Sequence, residues 1–323
     1  AAGALNTFSP NSAFDVLSGA TLDLAGFSQI IGSLTGTGPV MLGSAILSTG
    51  NDNTSTTYAG NIGGTGGVTK IGTGTFTLSG TSSYTGPTTV NGGILSVNGS
   101  IVSSSLVTVN TGATLAGTGQ LPNVSVNGGT FAPGNSIGTL TVNGNLTFGA
   151  GSTYAVEIAG SASDRTNVTG TAALGGTVDV ILQSGASFAQ SYTILSAAGG
   201  LTGTFGTISS NLPRGFATEL DYTVTDVQLN VRGALGRGAG FAVDQRNAAG
   251  AINAFYNGGG NLPSEFYGLF SLSDGALNNA LTQLSGQPAA SMWLPIKQSM
   301  SAFLQLMLNP FADNRGAAGS GFG

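Results

Sequence analysis

Residues 88–97 read TTVNGGILSV, and residues 140–148 read LTVNGNLTF. The same Val-Asn-Gly unit stands at Val126-Asn127-Gly128, and a variant, Val109-Asn110-Thr111-Gly112, precedes it. Successive valines at 90, 109, 126 and 142 are 19, 17 and 16 residues apart, as in a chain built from stacked repeats. Each unit is a short alternating strand, a Gly-containing turn and another short strand.

Two β-architectures fit this repeat. Asn-Gly pairs suit the tight hairpins of an antiparallel sheet, because both residues tolerate a positive φ. The same pairs also form the corners of a solenoid, in which strands of successive coils pair along the axis. Because the repeat persists while the loop lengths drift, we predict a mainly β fold: a right-handed parallel β-helix with a C-terminal cap and a short helical tail.

Composition restricts the class of protein. The 323 residues include 55 Gly, only 8 Lys and Arg and 13 Asp and Glu, and 40% are hydrophobic. This combination is typical of repetitive β-structure with a long core rather than of a disordered chain. With few, dispersed basic residues and a net charge of −5, no basic face can neutralise a run of phosphates. We therefore expect no nucleic-acid partner.

Little catalytic chemistry is available to the chain. It contains no Cys and no His, which excludes disulfides, thiolate or imidazole metal ligands and any histidine-based triad. No Asp or Glu lies between Asp52 and Glu157. We predict that the chain is not an enzyme and that it has no catalytic, cofactor-binding or metal-ligating residue and no cofactor.

Two glycine motifs could suggest a site. Residues 134–138, GNSIG, match the G-x-S-x-G nucleophile elbow, but strands are predicted on both sides and no histidine can activate Ser136. We predict a turn in which Gly134 needs a positive φ. The glycines at 63–67 are predicted to be corners, because no GxxxxGK[ST] phosphate motif occurs.

The carboxylates form two groups along the chain. Asp15, Asp23 and Asp52 could converge on the early coils, but solvated surface positions are the preferred interpretation. The later group comprises Asp179, Glu219, Asp221 and Asp226, of which the last two are predicted to be turn residues. A catalytic pair is the less favoured interpretation of both groups.

The pattern also predicts four regions. Residues 1–152 are the repeat-bearing stem, and residues 153–232 are a β-sheet cap with longer strands at 177–182 and 222–231. Aromatic residues gather in the cap at Phe188, Tyr192, Phe205, Phe216 and Tyr222. Residues 233–310 have a helical period, with helices predicted at 273–284, at 295–309 and over 241–255. Residues 311–323 are predicted to be a flexible linker.

One family has these features together. Residues 66–80, GGVTKIGTGTFTLSG, followed by YTG at 84–86 and TVNGGIL at 89–95, resemble a passenger-associated transport repeat of bacterial autotransporters. Residues 132–142, APGNSIGTLTV, resemble the turn motif near the passenger's C-terminal end, and residues 163–170, SDRTNVTG, resemble the strand that leads into its cap. Residues 284–291, LSGQPAAS, resemble the pre-barrel segment, but Gln287 and Ala289 replace its Glu and His.

The resemblance implies a type V secretion passenger at the cell surface, exported through the bacterial outer membrane after removal of a signal peptide. It implies two partners: the C-terminal translocator barrel of the same precursor, which we expect to be absent after Pro310, and the outer-membrane assembly machinery. The expected function is a structural and secretion module with an autochaperone-like cap. An adhesin with a host or cell-surface ligand and a β-helix polysaccharide hydrolase or lyase are the alternatives.

Overall fold

The computed structural model describes residues 1–183, 188–237, 240–286, 297–301 and 303–304. The chain divides after Arg232 into two compact units. The first unit is built from strands, and the described part of the second is built mainly from helices.

The first unit is a solenoid with three faces. On face 1 each strand pairs in parallel with the strand of the next coil. In stacking order its strands are β1 (Ala13–Val16), β4 (Ser33–Gly36), β7 (Thr56–Tyr58), β10 (Thr75–Leu78), β12 (Gly93–Val97), β14 (Ala113–Gly117), β17 (Thr130–Pro133), β20 (Thr153–Ala159), β24 (Thr177–Leu182) and β27 (Thr207–Ser210). The short β21 (Ala162–Ser163) pairs antiparallel with β20.

Face 2 is a second parallel stack. Its strands are β3 (Gln29–Ile31), β6 (Ile46–Thr49), β9 (Gly67–Lys70), β11 (Thr88–Val90), β13 (Val107–Asn110), β16 (Val124–Asn127), β19 (Leu146–Phe148), β23 (Ala172–Leu174) and β26 (Leu201–Gly203).

Face 3 contains two sheets, and single bridges from Thr81 to Ser100 and from Ser100 to Gln120 extend the second sheet. The first sheet contains β2 (Leu22–Asp23), β5 (Val40–Met41) and β8 (Ile62–Gly63). The second contains β15 (Gln120–Leu121), β18 (Thr139–Val142), β22 (Arg165–Val168), β25 (Ser191–Ala197), β29 (Asp226–Gly233) and β28 (Phe216–Tyr222). The predicted parallel β-helix is therefore confirmed, and the hairpin alternative is wrong for the Val-Asn-Gly repeats.

The register explains why the repeat favours stacking. Val90 pairs with Val109, and Val109 pairs with Val126, so these three valines form a column in the core. Val142, the fourth valine of the repeat, lies instead in β18 on face 3 and pairs with Val168. Burial of each such side chain contributes about 1.5–3 kcal/mol. Because alternate residues of a strand point to opposite faces, Thr89 and Thr108 between these valines lie on the outside, where they are half-buried.

Asparagine side chains join successive coils at the corners. The Oδ1 of Asn53 accepts the Thr73 N–H at 2.8 Å, and the Oδ1 of Asn145 accepts the Thr171 N–H at 2.9 Å. Asn98 and Asn123 accept the N–H groups of Thr118 and Asn145 in the same way. Corner backbone groups that no strand can pair thereby obtain partners, which accounts for the high Asn content.

Aromatic rings fill the later coils. Phe131, Phe148, Tyr154 and Phe205 form a contiguous cluster, with ring centroids 5.3 Å apart for Phe148 and Phe205. The Tyr154 hydroxyl lies 2.9 Å from the Thr166 hydroxyl and donates to the Ile194 carbonyl at 2.5 Å. The expected gathering of cap aromatics is present for Phe205 and for Phe188, whose ring lies 4.7 Å from that of Phe216.

The end of the first unit differs from the prediction in one place. The strand expected over 222–231 is interrupted after Tyr222, because Thr223 and Asp226 close a turn between β28 and β29. The Thr223 hydroxyl accepts the Asp226 N–H at 2.8 Å, and the Thr225 hydroxyl donates to the Asp226 carboxylate at 2.9 Å. β29 then pairs antiparallel with β25. Face 1 continues from β17 to β20 and β24, so the stem–cap boundary at 152 stays a prediction.

The second unit contains α1 (Val243–Asn257), α2 (Ser264–Tyr267), a short 3-10 helix (Gly268–Ser271) and α3 (Asp274–Leu284). The buried Gln245 of α1 donates to Asn278 and Thr282 of α3, which links the two helices. The predicted helices at 241–255 and 273–284 are confirmed, and Ser273 is the N-cap residue. Sequence analysis missed α2.

Of the helix predicted at 295–309, residues 297–301 and 303–304 are helical. The Gln287 and Ala289 positions of the pre-barrel motif and the linker at 311–323 lie outside the described residues.

Candidate functional site

The turn at residues 134–138 lies between two strands, β17 and β18. Gly134 has a φ of 91°, which confirms the predicted positive φ, and its N–H donates to the Gly117 carbonyl at 2.8 Å. Ser136 is exposed and has a φ of 119°. A nucleophile elbow requires a helix after the serine, whereas here a strand follows, so the turn is not an elbow.

Asp164 fastens this turn to a neighbouring hairpin. One carboxylate oxygen accepts the Gly138 N–H at 2.8 Å, and the other accepts the Glu157 N–H at 2.9 Å. The residue is almost fully buried, and this burial raises the pKa of its carboxyl to about 7, against the opposing effect of the two N–H donors. The nearby charge of Glu157 raises it further. Since both oxygens hold backbone groups, Asp164 acts as a structural acceptor.

Asn135 fastens the turn on its other side. Its Nδ2 donates to the Asn98 Oδ1 at 2.8 Å, and its Oδ1 accepts the Ser96 hydroxyl at 3.2 Å. The turn therefore contacts both an earlier coil and the β20–β21 hairpin.

Lys70 is the second group of functional interest, and sequence analysis missed it. The side chain is fully buried inside the solenoid, where its register partners are Thr49 and Val90. The Nζ donates to the carbonyls of Ile71 at 2.5 Å, Gly72 at 3.1 Å and Gly92 at 3.2 Å. Burial lowers the pKa of the ammonium group. Lys70 thus joins the carbonyl groups of two successive coils from within.

A sequence signal for this burial existed. Val68 and Lys70 are two residues apart in one strand, so period 2 places Lys70 on the same buried face as Val68. Charge alone favoured a solvated position, but the three carbonyl acceptors compensate part of the cost of removing the ammonium group from water.

The early carboxylates lie apart, and each accepts hydrogen bonds from groups near it. Asp15 is on face 1 and accepts the Thr35 hydroxyl at 3.1 Å. Asp23 is on face 3 and accepts the Ala25 N–H at 2.8 Å. Asp52 lies in the corner after β6, where it accepts the N–H and the hydroxyl of Thr54.

The later carboxylates also have local partners. Asp179 accepts the Ser209 hydroxyl at 2.6 Å, and Glu219 forms an ion pair with Arg232 at 2.9 Å. Asp221 lies within β28 and accepts the Asn230 amide, so its assignment to a turn is wrong. Asp226 closes the turn before β29, and the Ser196 hydroxyl, which donates to it, lowers its pKa.

Of the glycines at 63–67, Gly64 and Gly66 lie in the corner between β8 and β9, whereas Gly63 ends β8 and Gly67 begins β9. A Cβ on Gly66 would overlap the Ala45 carbonyl of the previous coil, so only glycine permits this approach. In the described part of the chain, no three acidic residues come together as a metal site. No helix among those same residues is long and apolar enough to cross a membrane.

Part of the chain matches a known family of sequence repeats. Residues 68–97, which include Lys70 and span β10 to β12, match the model of the passenger-associated transport repeat. This match supports an autotransporter passenger. The chain is 40% identical over 103 residues to the adhesin autotransporter BmaC of Brucella suis biovar 1, and the match covers 31% of this chain and 3% of that protein.

The chain is also similar to two extracellular serine proteases of Serratia marcescens. It is 36% identical to one over 186 residues and 32% identical to the other over 187 residues, covering 54% of this chain each time. The chain spans 18% of the length of each protease, less than a fifth.

Proposed function

We propose that this chain is a non-catalytic stem and secretion module of a cell-surface passenger. It presents upstream regions of the precursor and supports their folding outside the cell. The observation that carries the proposal is the register of face 1, which continues through the transport repeat. Phe76 in the repeat pairs with Thr56 of the previous coil and with Leu95 of the next coil. The repeat therefore forms ordinary coils of the stack. It also matches a family that is named for transport.

The proposal includes a route and partners. The module reaches the extracellular side through the outer membrane, with the translocator barrel of the same precursor and the outer-membrane assembly machinery as its partners. Support comes from the family match and from relatives named as extracellular or as an autotransporter.

Deletion of whole coils in the precursor tests the proposal. Because Thr114 pairs with Thr130, removal of residues 114–129 deletes one coil and keeps the register. Because Thr75 pairs with Ile94, removal of residues 75–93 does the same within the transport repeat. Surface display of an upstream epitope, measured by protease accessibility on intact cells, is the readout.

We expect display to persist without residues 114–129 and to fall several-fold without residues 75–93. Removal of residues 114–124 is the control, because it breaks the register and abolishes display. If both in-register deletions abolish display as the control does, the chain is not a modular stem. If neither deletion lowers display, the repeat has no secretion role beyond being a coil.

One observation favours adhesion as a second function. Residues 53–156 contain a single charged residue, the buried Lys70. The exposed surface of these coils is therefore neutral and rich in hydroxyl and amide groups, and BmaC, which matches part of the chain, is named an adhesin. Binding through such a surface is expected to be insensitive to salt, since no exposed charge is screened. Loss of cell binding between 0.05 and 0.5 M NaCl, about a threefold change in the Debye length, would contradict adhesion by this surface.

An assay for hydrolysis tests whether the chain is non-catalytic. On a panel of polysaccharides and on casein we expect no turnover from the chain, and Ser136→Ala is expected to change nothing. Turnover that Ser136→Ala or Asp164→Asn abolishes would replace the stem with an enzyme.

A further inference from the structure

The second unit contains an open apolar groove. It has a volume of about 330 Å³ and lies between α3 and the segment formed by α2 and the 3-10 helix. Its lining residues are Glu265, Phe266, Leu269, Ala280, Gln283 and Leu284. Leu284 is 47% exposed, so an apolar wall of the groove faces solvent.

The helical residues near 300 carry an exposed apolar stripe. Met300, Phe303 and Leu304 are 62%, 60% and 50% exposed. These positions are related as i, i+3 and i+4, so they share one side of the helix. A small set of large apolar side chains exposed together on one side of a helix usually has a binding partner.

The groove and the stripe match in polarity and charge. The groove accepts apolar side chains and has one acidic residue, Glu265. The stripe has one basic residue, Lys297, which lies three positions before Met300 and therefore on the same side of the helix. Glu265 and Lys297 are both exposed, so each can pair with the other without loss of an existing buried contact.

We propose that the stripe of Lys297, Met300, Phe303 and Leu304 docks into this groove of the same chain. Twelve residues, 285–296, separate the stripe from α3, and a chain of that length spans up to about 40 Å. Because both parts belong to one chain, their encounter is intramolecular and does not depend on protein concentration. Docking within one chain is therefore favoured over docking between two chains in dilute solution.

The chain has no cysteine, so disulfide trapping can be designed without background. Leu269→Cys combined with Met300→Cys tests the groove. Asn279→Cys combined with Met300→Cys is the matched control, because Asn279 lies in α3 next to Ala280 of the groove but lines a different depression. The readout is the rate of disulfide formation in the full chain under mild oxidation, followed by non-reducing electrophoresis and mass spectrometry.

We expect the groove pair to form an intrachain disulfide at least about tenfold faster than the control pair, at a rate that does not depend on protein concentration. Equal rates for the two pairs, or no disulfide in either, would overturn the proposal. Covalent dimers whose rate of formation rises with concentration would assign the groove to a second copy and would also overturn it.

Charge reversal supplies an independent test that leaves the apolar residues intact. In the groove pair, Glu265→Lys or Lys297→Glu alone is expected to slow disulfide formation several-fold, and the two together are expected to restore the rate. If the double reversal is as slow as either single change, Glu265 and Lys297 do not meet and this alignment of stripe and groove is wrong.

Discussion

At the scale of single residues, Gly134 is a position where space and backbone conformation act together. A Cβ there would overlap the Ser136 carbonyl and lie 2.6 Å from the Asp164 Oδ1, whereas nothing lies within 4 Å of the Cβ position at Gly112. Both residues have a positive φ, 91° and 80°. Alanine in this conformation costs roughly 1–2 kcal/mol.

We therefore expect Gly112→Ala to lower the free energy of unfolding by about 1 kcal/mol and Gly134→Ala to lower it by at least twice that amount. Urea denaturation of the two variants measures both values. Equal losses would show that conformational strain alone determines the effect and that the contact with Asp164 is unimportant.

The burial of Lys70 predicts that the free energy of unfolding rises with pH, whereas for a lysine in a surface ion pair it would fall with pH. Burial lowers the pKa of the folded ammonium group below its ordinary 10.5, so the unfolded chain binds this proton more tightly. The contribution of Lys70 to stability therefore increases as the pH rises from the lowered folded pKa towards 10.5, by at most about 1.4 kcal/mol per pH unit.

Lys70→Met removes this increase. The difference in free energy of unfolding between parent and variant is expected to shift in favour of the parent from pH 8 to pH 10. All other groups are the same in both proteins, so their contributions cancel in the difference. A constant difference over this range would show that the folded ammonium group keeps its ordinary pKa.

At the scale of elements, Asp164 couples the turn at 134–138 to the β20–β21 hairpin. Its carboxyl has a pKa of about 7 in the folded chain and an ordinary value of 3.8, so the folded state binds the proton more tightly. The resulting stabilisation is complete below about pH 4 and is lost as the pH rises through about 7. The charge of Glu157 raises the pKa of this carboxyl further.

We expect the parent to lose stability from pH 4 to pH 7 relative to Asp164→Asn, which cannot ionise, by up to about 1.4 kcal/mol per pH unit. Asp15→Asn, at an exposed position on face 1, controls for loss of a surface carboxylate. Parallel pH profiles of parent and Asp164→Asn would contradict a raised pKa.

At the scale of the whole first unit, the stack ends in open strand edges that must be closed. Residues 153–232 pair with β17, β18 and β19, one strand on each face. A chain ending at 152 would expose all three edges, which favours edge-to-edge association. A chain ending at 232, the boundary of the first unit, retains the pairing.

Size-exclusion chromatography and limited proteolysis of the two truncated chains check this. We expect the 1–232 chain to be monodisperse and the 1–152 chain to aggregate or to be digested rapidly. Equal behaviour would mean that residues 153–232 are more stem and not a cap.

Local patterns in the sequence were sufficient for many elements of this protein. Period 2 predicted the strand at 177–182 with the bounds of β24, because alternating burial is a property of a few neighbouring residues. Period 3.6 after Ser273 predicted α3 for the same reason. Gly134 could be assigned a positive φ because a Pro-Gly-Asn turn restricts the backbone by itself.

Other features were decided only by the tertiary structure. Lys70 is buried because carbonyl groups of its own coil and of the next coil, at Gly92, meet its Nζ. Asp164 is buried because stacking brings it to the Gly138 N–H, 26 residues away in sequence. The composition showed which side chains were available to the protein. Stacking alone determined which charges exchange water for backbone partners, since that exchange depends on groups from another coil being present at hydrogen-bonding distance.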